Sequence, residues 1–360
     1  MEKVYIKEKK KCSTMDKYLK PEFVYLPINN INYSKGDYIY KNTLITNNIY
    51  SPISGYFMGT VYKYINGIKT KCMIIENDYK EKYKMINYIF DKDIFIDSLK
   101  INNLIDEYDN YDIKYLVINA IDIEPYIFSK RVYINNTTND ILDIINNLIN
   151  KLSISKAIIS IVDNYYPVSN NRILFKELFG YTYNKTSLEK KVWIIDLLSL
   201  INIDSIMKNN IPKNETIITI GGSYIRNSVM RVKIGTSFKE IIKYLGGYKN
   251  SDIVITIGGT FSGKQIINDD FIIMDNINSI FITKKRVVIE KECTLCSKCH
   301  SVCPVNLVPI FIMKNINNKN NLRKLNIDKC LECNLCSYIC PSGIDLKSYI
   351  DRAKEVIDNE

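Results

Sequence analysis

The chain has 360 residues, of which 46% are apolar and 24% are charged, and its formal net charge is +10 at pH 7. This length and apolar content exclude wholesale disorder and predict roughly two to four domains. No stretch approaches the roughly 18–20 uninterrupted apolar residues of a membrane span, and no apolar signal segment follows the first lysines, so we expect a cytoplasmic protein without a transmembrane segment. The basic residues are spread along the chain, which argues against nucleic acid as a partner.

Short β-type runs separated by turn residues fill residues 1–80. The predicted strands cover residues 23–26, 38–40, 44–45, 56–64 and 71–75. Asn66-Gly67 is a strong signal for a two-residue hairpin between the last two of these strands. The pattern predicts a small β-barrel or β-sandwich.

Residues 81–210 show a different pattern. Residues 115–119 and 157–162 are continuous apolar runs of the buried-strand type, and residues 140–152 carry apolar side chains at helical spacing. Strand, helix and strand in this order predict a βαβ unit with a partly parallel sheet. The chain has no glycine from residue 68 to residue 179.

Residues 211–290 return to strands. Strands are predicted at 216–220, 229–233 and 253–257, with a helix near 237–245, which is the pattern of a small grasp-like α+β module.

One loop in this region has the spacing of a nucleotide-binding phosphate loop, G-x4-G-K, at residues 258–264. The next residue is Gln265 rather than the Ser or Thr that holds Mg²⁺, and Asn268-Asp269-Asp270 interrupts the helix that should follow. We therefore predict a glycine turn between strands and no ATPase activity.

Eight of the ten cysteines lie between Cys293 and Cys340. They form the pattern C-x2-C-x2-C-x3-C-P twice, which is the bacterial-type signature of two [4Fe–4S] clusters. Zinc sites usually pair two ligands, a longer gap and two more ligands, so zinc matches this spacing poorly. Disulfides would be spread through a small secreted domain, whereas most of this chain has no cysteine.

The last cysteine of each motif is expected to reach the cluster held by the other motif. The predicted ligands are Cys293, Cys296, Cys299 and Cys340 for cluster 1, and Cys330, Cys333, Cys336 and Cys303 for cluster 2. The single histidine, His300, is expected to be a bystander because thiolates fill all eight positions. Apolar spacing predicts helices at 307–312 and 344–357, and the Asn/Lys-rich residues 314–324 are interpreted as a loop.

These parts, in this order, resemble the C subunit of the Rnf electron-transport complex, a ferredoxin–NAD⁺ oxidoreductase family that also includes a corrinoid reductase of propanediol-utilising microcompartments. The resemblance is strongest at CPVNLVP (303–309) and CSYICPSGIDL (336–346). Weaker matches lie at Gly36-Asp37, residues 51–55, residues 116–120, Glu124-Pro125-Tyr126, residues 234–237 and residues 257–259.

The resemblance implies an α+β multidomain fold. Its expected parts are a barrel-sandwich domain at 1–80, a degenerate Rossmann-like α/β domain of the flavin type at 81–210, a soluble-ligand-binding β-grasp domain at 211–290 and an α-helical dicluster ferredoxin domain at 291–360.

Asn119, Asp122 and Glu124 fall in the family's flavin and NADH region, and the resemblance makes them candidate cofactor contacts. The glycine-rich loop that precedes this region in the family is absent, with residues 101–114 in its place, and the family's flavin-contacting Glu is missing from residues 196–200. We therefore expect FMN and NAD(H) binding to be weakened or lost. For Glu124, a cofactor contact and a solvated loop carboxylate remain open.

The main hypothesis is an electron-transfer protein that relays electrons through two [4Fe–4S] clusters, rather than a self-contained catalyst, and no catalytic residue is proposed. Expected partners are a ferredoxin, a flavoprotein or Rnf-type membrane subunits, and any membrane association would be peripheral, on the cytoplasmic face. One alternative is a complete flavin-containing NADH or corrinoid reductase with a non-standard pocket. A second is a non-redox iron–sulfur scaffold or binding module.

Overall fold

The computed structural model describes residues 2–6, 12, 14–30, 32–46, 49–86, 113–161, 165–180, 191–285 and 289–358. These residues form a mixed α/β fold in which sheets and helices extend to residue 284, and short helices and loops build the C-terminal region. In these ranges, no helix combines the length and apolar character needed to cross a membrane.

An antiparallel four-stranded sheet near the N-terminus has the order β2-β7-β6-β3. The strands of this part of the chain are β1 (Met15–Tyr18), β2 (Phe23–Pro27), β3 (Tyr38–Ile39), β4 (Leu44–Thr46), β5 (Ile49–Tyr50), β6 (Gly55–Ile65) and β7 (Ile68–Asn77). The predicted hairpin is confirmed, because Ile65 pairs with Ile68 and both Asn66 and Gly67 have the positive φ of a type I′ turn. β4 and β5 pair with each other, and β1 joins a different sheet.

A three-stranded parallel sheet with the order β10-β8-β9 forms the next part. Its elements are β8 (Tyr115–Asn119), α1 (Ser129–Leu152), β9 (Lys156–Ser160), α2 (Asn171–Phe179), β10 (Val192–Asp196) and α3 (Leu197–Asn209). The predicted βαβ unit is confirmed. The parallel register places Asn119, Ser160 and Asp196 side by side at the carboxyl ends of the strands.

A six-stranded mixed sheet has the order β1-β12-β11-β15-β13-β14. Apart from β1, its strands are β11 (Glu215–Gly222), β12 (Ser228–Lys233), β13 (Ile253–Ile257), β14 (Lys264–Ile266) and β15 (Ser279–Lys284). The helix α4 (Phe238–Tyr244) lies between β12 and β13 in the sequence. β13 and β14 pair in antiparallel fashion around residues 258–263, so the prediction of a glycine turn is confirmed.

The C-terminal region contains α5 (Lys298–Ser301), α6 (Pro309–Lys314), α7 (Lys319–Arg323), a 3-10 turn (Ile327–Lys329), α8 (Leu335–Tyr338) and α9 (Leu346–Asp358). The two predicted helices are confirmed, with starts two residues later than expected. The loop prediction is wrong at α7, where Asn318 caps the first turn and Leu322 is completely buried. Burial of one apolar side chain here outweighs the polar composition of the segment.

Gly222 and Gly246 both have a positive φ, but only one of them has close neighbours. Substituting each by alanine therefore distinguishes the cost of backbone strain from the cost of steric overlap. A Cβ added at Gly222 (φ 128°) would overlap the carbonyl group of Ile282 on β15, whereas Gly246 (φ 92°) faces open space. We expect Gly246→Ala to cost about 1 kcal/mol of unfolding free energy and Gly222→Ala to cost about 3 kcal/mol or more. Anaerobic urea unfolding followed by circular dichroism tests this, and equal losses would contradict the close approach of β11 and β15.

Candidate metal centre

The two cysteine motifs have the same backbone conformation, displaced by 37 residues along the sequence. Left-handed residues occur in matching pairs at Leu295 and Glu332, Ser297 and Asn334, and Asn306 and Gly343. Most of these residues are not glycine, so each left-handed turn costs free energy that its surroundings must offset. Left-handed residues next to right-handed ones turn successive N–H groups into a concavity that suits anions, including iron–sulfur centres.

Backbone N–H groups point at the thiols within these concavities. Leu295 N–H donates to Cys293 Sγ at 3.4 Å, and Leu307 N–H donates to Cys303 Sγ at 3.2 Å. The N–H of Lys298 is the main cause of a lowered pKa at Cys296. Such donors stabilise sulfur in its thiolate form, the form that binds metal.

Burial works in the opposite direction at the deeper cysteines. Burial, with a smaller contribution from neighbouring cysteines, raises the pKa of both Cys333 and Cys336 to about 12. Thiols in such surroundings stay protonated at neutral pH unless a metal displaces the proton. Clustered, buried thiols with converging N–H donors therefore fit a ligated metal centre.

The structure brings the fourth cysteine of each motif to the other motif. One cavity, which also touches Ile310 and Ile344, is lined by Cys293, Cys296, Cys299 and Cys340, called here the outer cysteine group. Cys303 packs in the same apolar cluster as Cys330 and Cys336, and Cys330 contributes to the raised pKa of Cys303. With Cys333, these residues are called here the inner cysteine group.

The ligands of a [4Fe–4S] cluster are arranged differently from those of a single metal ion. Over the described ranges, no three His, Cys, Asp or Glu side chains converge closely enough to share a single metal ion. The four thiolates of a [4Fe–4S] cluster bind four separate iron atoms, so they stand farther apart than the ligands of one ion.

The two cysteine groups differ in their surroundings. Cys296 of the outer group is exposed to solvent, whereas Cys303 and Cys336 of the inner group are buried. The inner group also faces the rest of the protein, because the Tyr166 hydroxyl donates to the carbonyl of Cys333 at 3.0 Å. The inner group therefore adjoins the α/β part of the chain, and the outer group adjoins solvent.

His300 supports the loop that follows Cys303. Its Nδ1 lies 2.9 Å from the carbonyl oxygen of Leu307, whose N–H group donates to Cys303 Sγ. The ring is thus engaged by the backbone, one contact removed from a thiol.

Asn119 and Asp122 lie buried after the end of β8. Asn119 Nδ2 donates to the carbonyl of Ser169 at 2.7 Å, and Asp122 Oδ1 accepts from the N–H of Lys130 at 2.9 Å. Asp122 Oδ2 is buried without a hydrogen bond. Burial raises the pKa of Asp122 to about 7.

Lys130 is a central residue of this region that sequence reasoning missed. Its buried ammonium group donates to the carbonyls of Asn119 (3.2 Å) and Ile121 (2.9 Å) and forms an ion pair with Asp196. Ligands of open α/β sheets bind at such carboxyl strand ends. Here the Lys130–Asp196 ion pair lines an open cavity of about 390 Å³. Residues 68–179 lack the glycines that would bring backbone N–H groups close to a flavin phosphate. The glycine-rich cradle of the family's flavin site is therefore missing from this sequence, and residues 101–112 of the replacement segment lie outside the described ranges.

Glu124 is buried, and its carboxylate is hydrogen-bonded within the protein. It is only 2% exposed, and its carboxylate accepts hydrogen bonds from the N–H groups of Phe261 (2.7 Å) and Ser262 (3.0 Å) and from the Ser262 hydroxyl. The interpretation as a solvated loop carboxylate is therefore wrong. The loop with phosphate-loop spacing uses its N–H groups for this internal carboxylate, and a Cβ at Gly259 would overlap it.

The raised pKa of Asp122 predicts a pH-dependent stability. The unfolded chain releases this proton near pH 4 and the folded chain near pH 7, so the folded state binds more protons between these values and stability falls as the pH rises through them. Asp122→Asn removes this pH dependence. Relative to the wild type, the variant's free energy of unfolding should therefore rise by about 1–3 kcal/mol from about pH 5 to about pH 8.

Urea unfolding at both pH values measures this difference, with Asp143→Asn, an exposed position on α1, as the control. Parallel stability curves for the wild type and Asp122→Asn would contradict the raised pKa.

Comparison with known proteins identifies relatives over most of the chain. The C subunit of an ion-translocating oxidoreductase complex from Buchnera aphidicola subsp. Acyrthosiphon pisum is 30% identical over 281 residues, covering 68% of this chain and 59% of that protein. The same protein from Buchnera aphidicola subsp. Baizongia pistaciae is 25% identical, covering 90% and 76%. The C subunit of a proton-translocating ferredoxin:NAD⁺ oxidoreductase complex from Clostridium ljungdahlii is 25% identical, covering 54% and 50%.

The chain thus spans roughly half to three quarters of the length of these relatives. Among solved structures, an NAD⁺-reducing [NiFe]-hydrogenase aligns with 69% of this chain and 48% of its own chain, at 9% identity and a TM-score of 0.41. The 4Fe–4S dicluster domain family matches residues 292–344, and with the eight cysteines this match supports two [4Fe–4S] clusters. The chain is therefore a relative of the C subunit of Rnf-type ion-translocating oxidoreductase complexes, with a 4Fe–4S dicluster domain near its C-terminus.

Proposed function

We propose that the protein transfers electrons, one at a time, through two neighbouring [4Fe–4S] clusters, as a counterpart of the C subunit in a membrane-bound oxidoreductase complex. The observation that carries this proposal is the pair of matching cysteine concavities, each completed by a cysteine from the other. Ligands exchanged between two motifs keep the clusters close together, which electron transfer between them requires.

Each cysteine group is proposed to bind one cluster. The outer cluster takes Cys293, Cys296, Cys299 and Cys340, and the inner cluster takes Cys330, Cys333, Cys336 and Cys303. The common cavity of the outer group and the packing of Cys303 with Cys330 and Cys336 support this assignment. When bound, each cluster supplies a one-electron redox centre, and the protein contributes thiolate ligands, N–H donors and burial.

The surroundings of the two clusters suggest where electrons enter and leave. The outer cluster lies at the surface beside exposed Cys296 and is proposed to exchange electrons with a protein partner. Candidate partners are a ferredoxin, a flavoprotein or Rnf-type membrane subunits, since the relatives are named as parts of such complexes. Attachment to the membrane would then be peripheral, on the cytoplasmic face, through such subunits.

The upstream sheets suggest the finer domain architecture of this family. We propose a barrel-sandwich domain at 1–80, a degenerate Rossmann-like α/β domain at 81–210, a soluble-ligand-binding β-grasp domain at 211–290 and a helical ferredoxin domain at 291–360. The antiparallel sheet of β2, β3, β6 and β7, the parallel sheet of β8–β10 and the sheet around α4 support this division. β1 pairs with β12, so the first segment also contributes to the third sheet.

A complete flavin-containing NADH or corrinoid reductase is disfavoured. The Lys130–Asp196 ion pair lies at the strand ends, and the Glu124 carboxylate accepts hydrogen bonds from the 258–263 loop. The flavin content of anaerobically isolated protein decides between this alternative and the relay, and one flavin per chain would favour the reductase.

Reduction of the isolated protein tests the relay itself. We expect dithionite to convert both clusters to paramagnetic [4Fe–4S]⁺ centres, each by gain of one electron, and reoxidation to restore the starting spectrum. Electron paramagnetic resonance, together with about eight iron atoms per chain, measures this. Clusters that remain unreduced at accessible potentials would instead support a non-redox scaffold.

Substitution of the two crossing cysteines tests the ligand assignment. Cys340→Ser should perturb the cluster bound by Cys293, Cys296 and Cys299, whereas Cys303→Ser should perturb the other one, because a serine oxygen is a poorer iron ligand than a thiolate. Iron content and the paramagnetic resonance signal of each cluster are the measurements. Cys296→Ser and Cys333→Ser, each at a ligand that does not cross, identify the two signals. The exchange of ligands is refuted if Cys340→Ser weakens the signal identified by Cys333→Ser and Cys303→Ser weakens the signal identified by Cys296→Ser.

A further inference from the structure

The loop of residues 258–263 links three parts of the protein through Glu124 and Phe261. On one side, the N–H groups of Phe261 and Ser262 donate to the buried Glu124 carboxylate, 137 and 138 residues away in the sequence. Thr260 adds a hydrogen bond from its hydroxyl to the carbonyl of Pro125 at 3.1 Å. The loop is therefore held against the segment that follows β8.

On its other side, the same loop contacts the ligand loop of the inner cysteine group. Asn334 Nδ2 donates to the carbonyl of Phe261 at 2.6 Å, and Asn334 lies between the ligands Cys333 and Cys336. Asn334 is also one of the left-handed residues (φ 57°) that shape the inner concavity. A shift of the 258–263 loop would therefore change the backbone between the ligands Cys333 and Cys336.

The Phe261 ring covers this junction with aromatic contacts. It stacks on Tyr166 at 5.1 Å between ring centroids and meets Tyr338 edge-on at 4.8 Å. Phe261 and Cys333 pack in one apolar cluster with Tyr166, Val302 and Leu335, which are buried. The ring therefore shields the inner cysteine group from water on the side of the α/β sheet.

We propose that Glu124 is a positioning residue for the inner cluster: its carboxylate fixes the 258–263 loop so that Phe261 and Asn334 hold the inner ligand loop in a water-poor setting. The proposal rests on the electron-transfer function proposed above. Water near a [4Fe–4S] cluster stabilises the more negative, reduced state, so exclusion of water lowers the reduction potential. Glu124 thereby sets the potential of the inner cluster without touching it.

Two substitutions disturb this contact from opposite sides. Glu124→Gln replaces one acceptor oxygen by an NH₂ group that cannot accept from the loop N–H groups. Gly259→Ala leaves the carboxylate in the chain but places a Cβ in its space. In both variants we expect the inner cluster's reduction potential to become more positive, while the outer cluster's potential stays unchanged. We also expect hydrogen exchange at the Phe261 and Ser262 amides to accelerate about tenfold or more.

A matched pair of variants separates this effect from a general disturbance of the motifs. Asn334→Gly removes the hydrogen bond to Phe261 while tolerating positive φ, and Ser297→Gly makes the corresponding change at the exposed position of the outer motif. Asn334→Gly should shift the inner cluster as Glu124→Gln does, and Ser297→Gly should leave the inner cluster unchanged. Should Glu124→Gln not fold, Phe261→Leu tests the shielding with the carboxylate contact intact.

Redox titration followed by paramagnetic resonance distinguishes the outcomes, with Cys296→Ser and Cys333→Ser, one non-crossing ligand of each motif, assigning the two signals. Faster amide exchange in Glu124→Gln and Gly259→Ala with both potentials unchanged would overturn the positioning role and leave the electron-transfer function standing. If neither cluster of the wild type is reducible, the electron-transfer function and the positioning role are both refuted.

Discussion

The negative charge of the cysteine thiolates is the constraint on which the C-terminal region depends. Burial opposes that charge, and it raises the pKa of Cys333 and Cys336 to about 12. Left-handed turns at the same positions of both motifs direct N–H groups at sulfur, and these donors stabilise the thiolate charge. Several of the cysteines also pack within the apolar core of this region, so metal ligation and folding are coupled there.

Upstream of the cysteines, two places that resemble ligand-binding sites contain charged side chains of the protein itself. Lys130 and Asp196 pair at the carboxyl ends of the parallel strands, and Glu124 occupies the N–H groups of the 258–263 loop. A buried charge is costly unless it is paired and hydrogen-bonded, so each of these groups needs a dedicated partner. The result is a scaffold that bears on the inner cysteine group through Phe261 and Tyr166.

Local patterns predicted many of the elements that carry this arrangement. The Asn66-Gly67 hairpin, the βαβ unit and the last helix follow from turn chemistry and apolar periodicity, which act over a few residues. The exceptions have a common cause. α7 depends on the burial of Leu322 in the core of the C-terminal region, and β1 depends on a partner strand more than 200 residues away. Neither contact leaves a periodic signal in its own segment.

The sequence predicted the metal chemistry, because ligand spacing along the chain is a covalent property and thiolates at that spacing suit a cubane cluster. It also shows that residues 68–179 lack the glycines that a phosphate-binding loop would need. The tertiary structure showed that the Glu124 carboxylate accepts hydrogen bonds from a loop 137 residues away in the sequence. It likewise showed that Lys130 is buried beside Asp196. Burial and pairing are set by which segments meet in space, and that is decided by packing of the whole chain.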